Sequence, residues 1–287
     1  MLHSRRLKVA GGFAILCVLS VAAVRLLLAT PLADVRARVR SDGGAGRPLV
    51  AHVVVALCDN ENQGIVRVPE HLGNGQDPHA NLYWGAAYGV RTYFTRSAAW
   101  RLAAQPQAPT ADVLEKVVMH SPRTAGRASD YFVVAEAWDG RKMADAVARF
   151  LRLAAGRDAE EITLPSGAVV TAGGAAHLVV FVGHNGLMDA PAETVPDGAR
   201  RAAPRASAVL ACASRSYFLN HLERGESYPL LLTTGLMAPE AYTLDAMVRE
   251  WFAQADPAST CLAAARAYDR FQHCGVAAAK RLFGCGQ

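Results

Sequence analysis

Short apolar runs of strand length recur along this chain, and they constrain its fold more than any other feature. Leu49 to Leu57, Tyr131 to Ala137, Leu178 to Val182, Ala206 to Ala211 and Pro229 to Leu232 carry almost no polar residues. A strand wetted on one face alternates apolar with polar, whereas a strand covered on both faces reads as a continuous apolar run. Between the runs lie stretches with helical spacing: Asn81 to Ser97, Arg141 to Ala155 (closed by Gly156, a C-cap glycine), Ser216 to Arg224, Pro239 to Ala255 and Ser259 to Phe283. Weaker strands are expected near Trp100 and at Leu114 to His120, and a small hairpin at Ile162 to Val170 around Pro165-Ser-Gly167. Strands alternating with helices predict an α/β fold, a mainly parallel sheet sandwiched by helices.

The N-terminus reads differently. Arg5, Arg6 and Lys8 precede an apolar run from Val9 to Val24, and Leu26 to Ala29 follow the single Arg25. This is the pattern of a secretory signal peptide or an uncleaved signal anchor. Cleavage after the small residues at Ala22 and Ala23 would leave Val24-Arg-Leu-Leu-Leu as an apolar new terminus, so the anchor is the preferred reading. Residues 1–33 are therefore expected as the membrane segment, 34–48 as a linker and 49–287 as the α/β domain, with the body periplasmic or otherwise extracytoplasmic.

The six cysteines are Cys17, Cys58, Cys212, Cys261, Cys274 and Cys285. Outside the N-terminal run an odd number remains, so an exported body keeps at least one free thiol, for which Cys212 is the candidate. One bridge is available within the C-terminal trio, with its connectivity open. No Cys-x-x-Cys or His-Glu-x-x-His spacing occurs, so neither a metal nor a cofactor is expected. The formal charge of +5 is mild, and the Arg200, Arg201, Arg205 cluster reads as a solvated loop. No aromatic residues interleave with the basic clusters, which argues against a nucleic-acid partner. Gly-x-Ser-x-Gly, Walker A and Gly-x-Gly-x-x-Gly sequences are all absent, which argues against serine hydrolases, NTP enzymes and dinucleotide enzymes.

Chemistry concentrates where two apolar runs end. One leads into Gly183-His184-Asn185-Gly186, the other into Ala211-Cys212-Ala213-Ser214. In open α/β sheets ligands gather at the carboxyl ends of strands, so neighbouring strands would bring an imidazole and a thiol together. A thiol attacks as thiolate, and an imidazole can take its proton. The resulting oxyanion needs N–H donors, for which the amides of Gly186 and Cys212 are the candidates. Taken alone, Cys212 reads as a core cysteine and His184 as a structural histidine; the paired strand ends favour the functional reading. Asp189 could orient the imidazole, although a loop carboxylate is more often simply solvated.

The pattern of apolar block, His-x-Gly, second apolar block and Ala-Cys resembles the caspase-like (clan CD) cysteine peptidases, a group that includes caspases, metacaspases, legumains, gingipains, separases and CHAT domains. The resemblance spans Leu49 to about Phe283, and its specific motif is the two strand ends. It implies a caspase-like sheet and an endopeptidase using Cys212 as nucleophile and His184 as base, in a divergent bacterial member. Asn185 between His184 and Gly186, and Ala213-Ser-Arg215 after the nucleophile, depart from the family pattern. Asp59 and Glu61 fall where such enzymes build part of the specificity pocket, and would favour a basic residue before the scissile bond. Turn formation is the simpler account of both. Thr234 is a further candidate for the substrate groove, while Tyr217, Phe218, Tyr242 and Trp251 are expected in the core. The expected partners are a peptide or protein substrate and, through the N-terminal segment, a membrane. A catalytically inactive caspase-like domain that binds a partner at the membrane is the rival reading, and a thiol acyltransferase a third.

Overall fold

The computed structural model describes residues 32–192, Asp197 and 202–285. The expected membrane segment lies almost wholly outside these, and among the described residues no helix is long and apolar enough to cross a membrane. In chain order the elements are α1 (Leu32–Gly44), β1 (Leu49–Ala56), α2 (Val90–Arg96), β2 (Arg101–Ala104), β3 (Val113–Ser121), β4 (Tyr131–Trp138) and α3 (Met143–Ala154). Then come β5 (Glu160–Thr163), β6 (Val169–Ala172), β7 (Leu178–Val182), β8 (Ala206–Leu210), α4 (Ser214–Arg224), β9 (Tyr228–Leu232), α5 (Ala241–Phe252), α6 (Pro257–Gln272) and α7 (Val276–Leu282).

Seven strands form one sheet in the order β2-β3-β4-β1-β7-β8-β9, and β5 with β6 makes a separate hairpin. From β4 to β9 all neighbours are parallel, while β2 and β3 add an antiparallel edge. The parallel strands, numbered along the chain, thus lie in the order 2-1-3-4-5, with a topological switch point between β1 and β7.

Burial on both faces explains the apolar runs. Along β1, Leu49, Ala51, Val53 and Val55 pack against α1, α2, α5 and α6, whereas Val50, Val54 and Ala56 face α3, α4 and the hairpin. Phe218, Tyr242 and Trp251 are buried as expected, but Tyr217 points outward from α4.

Several local expectations change. Residues 34–44, expected as linker, form most of α1, because Val35 and Val39 one turn apart enter the core. Arg38 from the same helix donates to the carbonyls of Ala175, Ala176 and Pro204. The helix expected from Asn81 shrinks to α2, because Asn81 is spent on the end of β1. Its side chain accepts from the Cys58 and Tyr83 amides and donates to the Cys58 and Asn74 carbonyls. The C-terminal helix is two helices, broken by left-handed His273 and by Gly275 at φ +84. Arg205, read as part of a solvated loop, is only 1% exposed; it donates to Ala154, Ala203 and Gly225 carbonyls, and burial pushes its pKa down to about 10. Cys261 and Cys285 form the disulfide that the sequence left open, and Cys58, Cys212 and Cys274 are free.

Candidate active site

His184 and Cys212 lie at the same level on neighbouring strand ends, since Val182 stands opposite Leu210 in the β7–β8 pair. The ladder runs one step further, with the Gly183 amide donating to the Leu210 carbonyl at 3.2 Å. Gly183 adopts φ +149, and a Cβ there would lie 2.8 Å from the Ala56 carbonyl oxygen. Only glycine lets β7 turn outward so close to the end of β1, and that turn presents His184.

Asn185 ties the two strand ends together. Its Nδ2 donates to the Cys212 carbonyl at 2.7 Å, while its Oδ1 accepts from the Leu187 amide at 3.1 Å and caps the short 3-10 turn Gly186–Met188. In the sequence this residue was a mere interruption of the His-Gly pattern. His184 is 8% exposed, and its Nε2 lies 2.8 Å from Oδ2 of Asp189. The loop carboxylate thus pairs with the imidazole while its own side chain stays 42% exposed.

The Cys212 turn is fastened to β9 and the segment after it. Ala213 is left-handed (φ 48), its amide bonds the Gly235 carbonyl at 2.8 Å, and the Arg215 amide bonds the Thr233 carbonyl at 2.9 Å. Buried Ser214 and Thr233 exchange hydrogen bonds, and the Thr233 hydroxyl also reaches the Ala211 carbonyl. Half-buried Cys212 presents its Sγ to the Met237 backbone, accepting from the amide at 3.4 Å with the carbonyl at 3.6 Å. The Met237 backbone thus both donates to the sulfur and accepts from it, and α4 begins two residues further on. Among the described residues no hydrogen bond joins Cys212 Sγ to His184.

The oxyanion assignment divides. The Cys212 amide has no protein acceptor among the described residues. The Gly186 amide instead donates to the His184 carbonyl at 3.1 Å. A Cβ on Gly186 would sit 2.4 Å from Cγ of Met143, so helix packing is what requires a glycine here.

The expected substrate-binding residues have other employment. Asp59 is 2% exposed and accepts from the Glu61 and Asn62 amides, from Asn62 Nδ2 and from Gln76 Nε2. Burial opposes its ionisation, but these donors outweigh it and hold the carboxyl below the usual range. It organises the loop after β1. Glu61 is exposed and pairs with exposed Arg67 at 2.6 Å. Thr234 binds the far end of α7, its amide reaching the Leu282 carbonyl at 2.7 Å and its hydroxyl the Arg281 carbonyl at 2.8 Å. Because Thr234 adjoins the Cys212 cradle, the disulfide-anchored C-terminus supports the candidate nucleophile from behind.

Beside the His184 loop, near the switch point, a cavity of about 370 Å³ opens between Asn62, the first turns of α3 and residues Gly186 to Ala192. Its charged lining is Asp145 and Asp189, with no basic residue. Cys58, at the end of β1, is buried against Tyr83, and burial pushes its thiol pKa up to about 11. It is placed as a core cysteine rather than a second nucleophile.

The sequence did not reveal a cluster deep in the sheet. Donor atoms of His52, Glu136 and Glu160 lie within 4.8 Å of one another, the spacing of a metal site. Here protein cations already neutralise the carboxylates: Lys116 Nζ lies 2.7 Å from Glu160 and 3.3 Å from Glu136, and Arg149 bonds Glu136 at 2.9 Å. Compared with protein-family models, with curated proteins and with solved structures, the chain gives no match.

Proposed function

We propose that the chain is a caspase-like cysteine hydrolase, an endopeptidase with Cys212 as nucleophile and His184 as base. One observation carries this reading: the third and fourth parallel strands of a 2-1-3-4-5 sheet end side by side in a histidine and a cysteine, clamped by the Asn185 bond to the Cys212 carbonyl. In the reaction, Cys212 Sγ attacks the scissile carbonyl carbon as its proton passes to His184. The Cys212 amide donates to the oxyanion, and His184 returns the proton to the departing amine. Water, deprotonated by His184, then hydrolyses the thioester and frees the thiol. Export and anchoring through residues 1–33 belong to the same proposal and rest on the sequence alone.

A second reading, an inactive caspase-like binding domain, draws on the separate partners of the two side chains, Met237 for Cys212 and Asp189 for His184. Catalytic hydrogen bonds are often long before substrate binds, and the first reading has the pair close on the substrate. Iodoacetamide labelling at mildly acidic pH separates the two. An active pair labels Cys212 rapidly, and His184→Ala slows labelling by on the order of 100-fold, the lower end of what general-base assistance contributes. Cys58, buried and protonated, stays unlabelled as an internal control. Equal rates with and without His184 refute the catalytic reading.

A further inference from the structure

We infer that Asp189 is the positioning residue of a Cys212–His184–Asp189 triad, holding His184 as the Nε2–H tautomer and reserving Nδ1 as the base. The inference rests on the proposed hydrolase for its chemical meaning, but its structural core stands on geometry alone. A carboxylate only accepts hydrogen bonds, so the 2.8 Å contact from Asp189 Oδ2 to His184 Nε2 requires the proton on Nε2. In the neutral ring the lone pair then resides on Nδ1, which has no protein partner among the described residues. One ring nitrogen is thus fixed and the other is free for a proton from the thiol. An orienting acid works in this way, setting the tautomer and stabilising the imidazolium formed during attack.

The surroundings hold this arrangement from two sides. His184 and Asp189 flank the 3-10 turn Gly186–Met188, and the Asp189 amide bonds the Gly186 carbonyl at 3.2 Å. Asn185, which caps that turn, also bonds the Cys212 carbonyl, so one side chain registers acid, base and nucleophile. On the other side the loop after β1 passes close to the carboxylate, which stays 42% exposed. A Cβ on Gly64 would lie 2.7 Å from Asp189 Oδ1, so a side chain at position 64 would displace the carboxylate from its present place. Residues more than a hundred positions apart therefore meet at the one group that orients the imidazole.

The test uses the full chain with ¹⁵N-labelled histidine, whose ring shifts report the tautomer, alongside the pH profile of Cys212 alkylation. His184 is expected as the Nε2–H form in the native chain. In Asp189→Asn it should lose that preference, the alkylation profile should shift, and the rate at mildly acidic pH should fall at least tenfold. Asp189→Glu should recover part of the rate, and Gly64→Ala should move tautomer and rate in the direction of Asp189→Asn, by less. A purely structural carboxylate would alter thermal stability without moving tautomer or pH profile. Nδ1 protonation of His184 in the native chain, or an Asp189→Asn variant unchanged in both readouts, overturns the inference. Failure of the proposed hydrolase looks different: Cys212 labelling then ignores His184→Ala, while the tautomer still answers to Asp189.

Discussion

Replacing Glu136 by Gln tests how the sheet tolerates charge at its centre. Glu136 is 0% exposed in the middle of β4. Its Oε1 accepts from Arg149 Nη2 at 2.9 Å and Lys116 Nζ at 3.3 Å, and its Oε2 accepts from Trp138 Nε1 at 3.2 Å and Arg149 Nε at 3.3 Å. Burial alone would keep this carboxyl neutral, but His52 and Arg149 outweigh it and hold its pKa well below the usual carboxylate range. Glutamine keeps the shape and one acceptor but turns an NH₂ toward donors, and it leaves Lys116 to Glu160 and Arg149 to Asp158 alone. Removing one partner of a buried ion pair costs about 3–5 kcal/mol. At about 2–4 °C per kcal/mol for a domain of this size, the melting temperature should fall by roughly 6–20 °C. The folded pKa lies below the unfolded value, so the stabilisation is fully present above about pH 4.5 and is lost as pH falls further. Urea unfolding of both chains should therefore show a gap of about 3 kcal/mol or more at neutral pH that narrows in acid. A gap under about 1 kcal/mol at neutral pH, or one that ignores pH, refutes the reasoning.

Two further outcomes follow from packing and burial. Gly186→Ala brings a methyl to 2.4 Å from Met143 Cγ, so denaturant unfolding should show a loss of about 1–3 kcal/mol, much of it recovered when Met143→Ala is added; a double variant no more stable than the single one would dismiss steric packing as the reason for the glycine. His177 accepts from the Val50 amide at Nδ1 and contacts Asp42 through Nε2, and burial pushes its pKa down to about 4. Between about pH 6.5 and 4 the unfolded chain thus binds a proton that the folded chain refuses, so stability falls with pH by up to about 1.4 kcal/mol per unit. His177→Gln should flatten that part of the stability–pH curve, and an unchanged slope would rule out His177 as its source.

Most of the sheet was legible because burial on both faces leaves an unambiguous trace. Continuous apolar runs located β1, β4, β7, β8 and β9, and the Pro-Ser-Gly turn located the hairpin. Misreadings arose where one long-range contact overrides local pattern. Gly-rich composition after Ser41 suggested a linker, yet two valines and the Arg38 bonds to distant carbonyls make α1 part of the body. Helical spacing from Asn81 onward was genuine, but the Asn81 side chain outcompetes the backbone for its own partners. Likewise, a basic cluster says nothing about burial when the carbonyls that satisfy Arg205 come from Ala154 and Gly225.

At the site, residue type was legible but partnership was not. The sequence could nominate His184 and Cys212 because histidines and cysteines are few and these two sit at strand ends, whereas Asp189 was one loop carboxylate among 25 acidic residues. It could not reveal that Asn185 fastens two of them, since an amide advertises no chemistry until its acceptor 27 residues away is known. Nor could it show what each glycine borders: a Cβ on Gly186 would meet Met143, and one on Gly64 would meet the Asp189 carboxylate. Asp59 illustrates the converse. An acid at a strand tip suggested recognition of a basic side chain, but its oxygens are consumed by Glu61, Asn62 and Gln76. A carboxylate already saturated by neutral donors offers little to a substrate, whereas Asp189 and Asp145 still face the open cavity. The acidic groups left facing open space therefore lie on the wall of that cavity, beside the His184 loop, and not at the tip of β1.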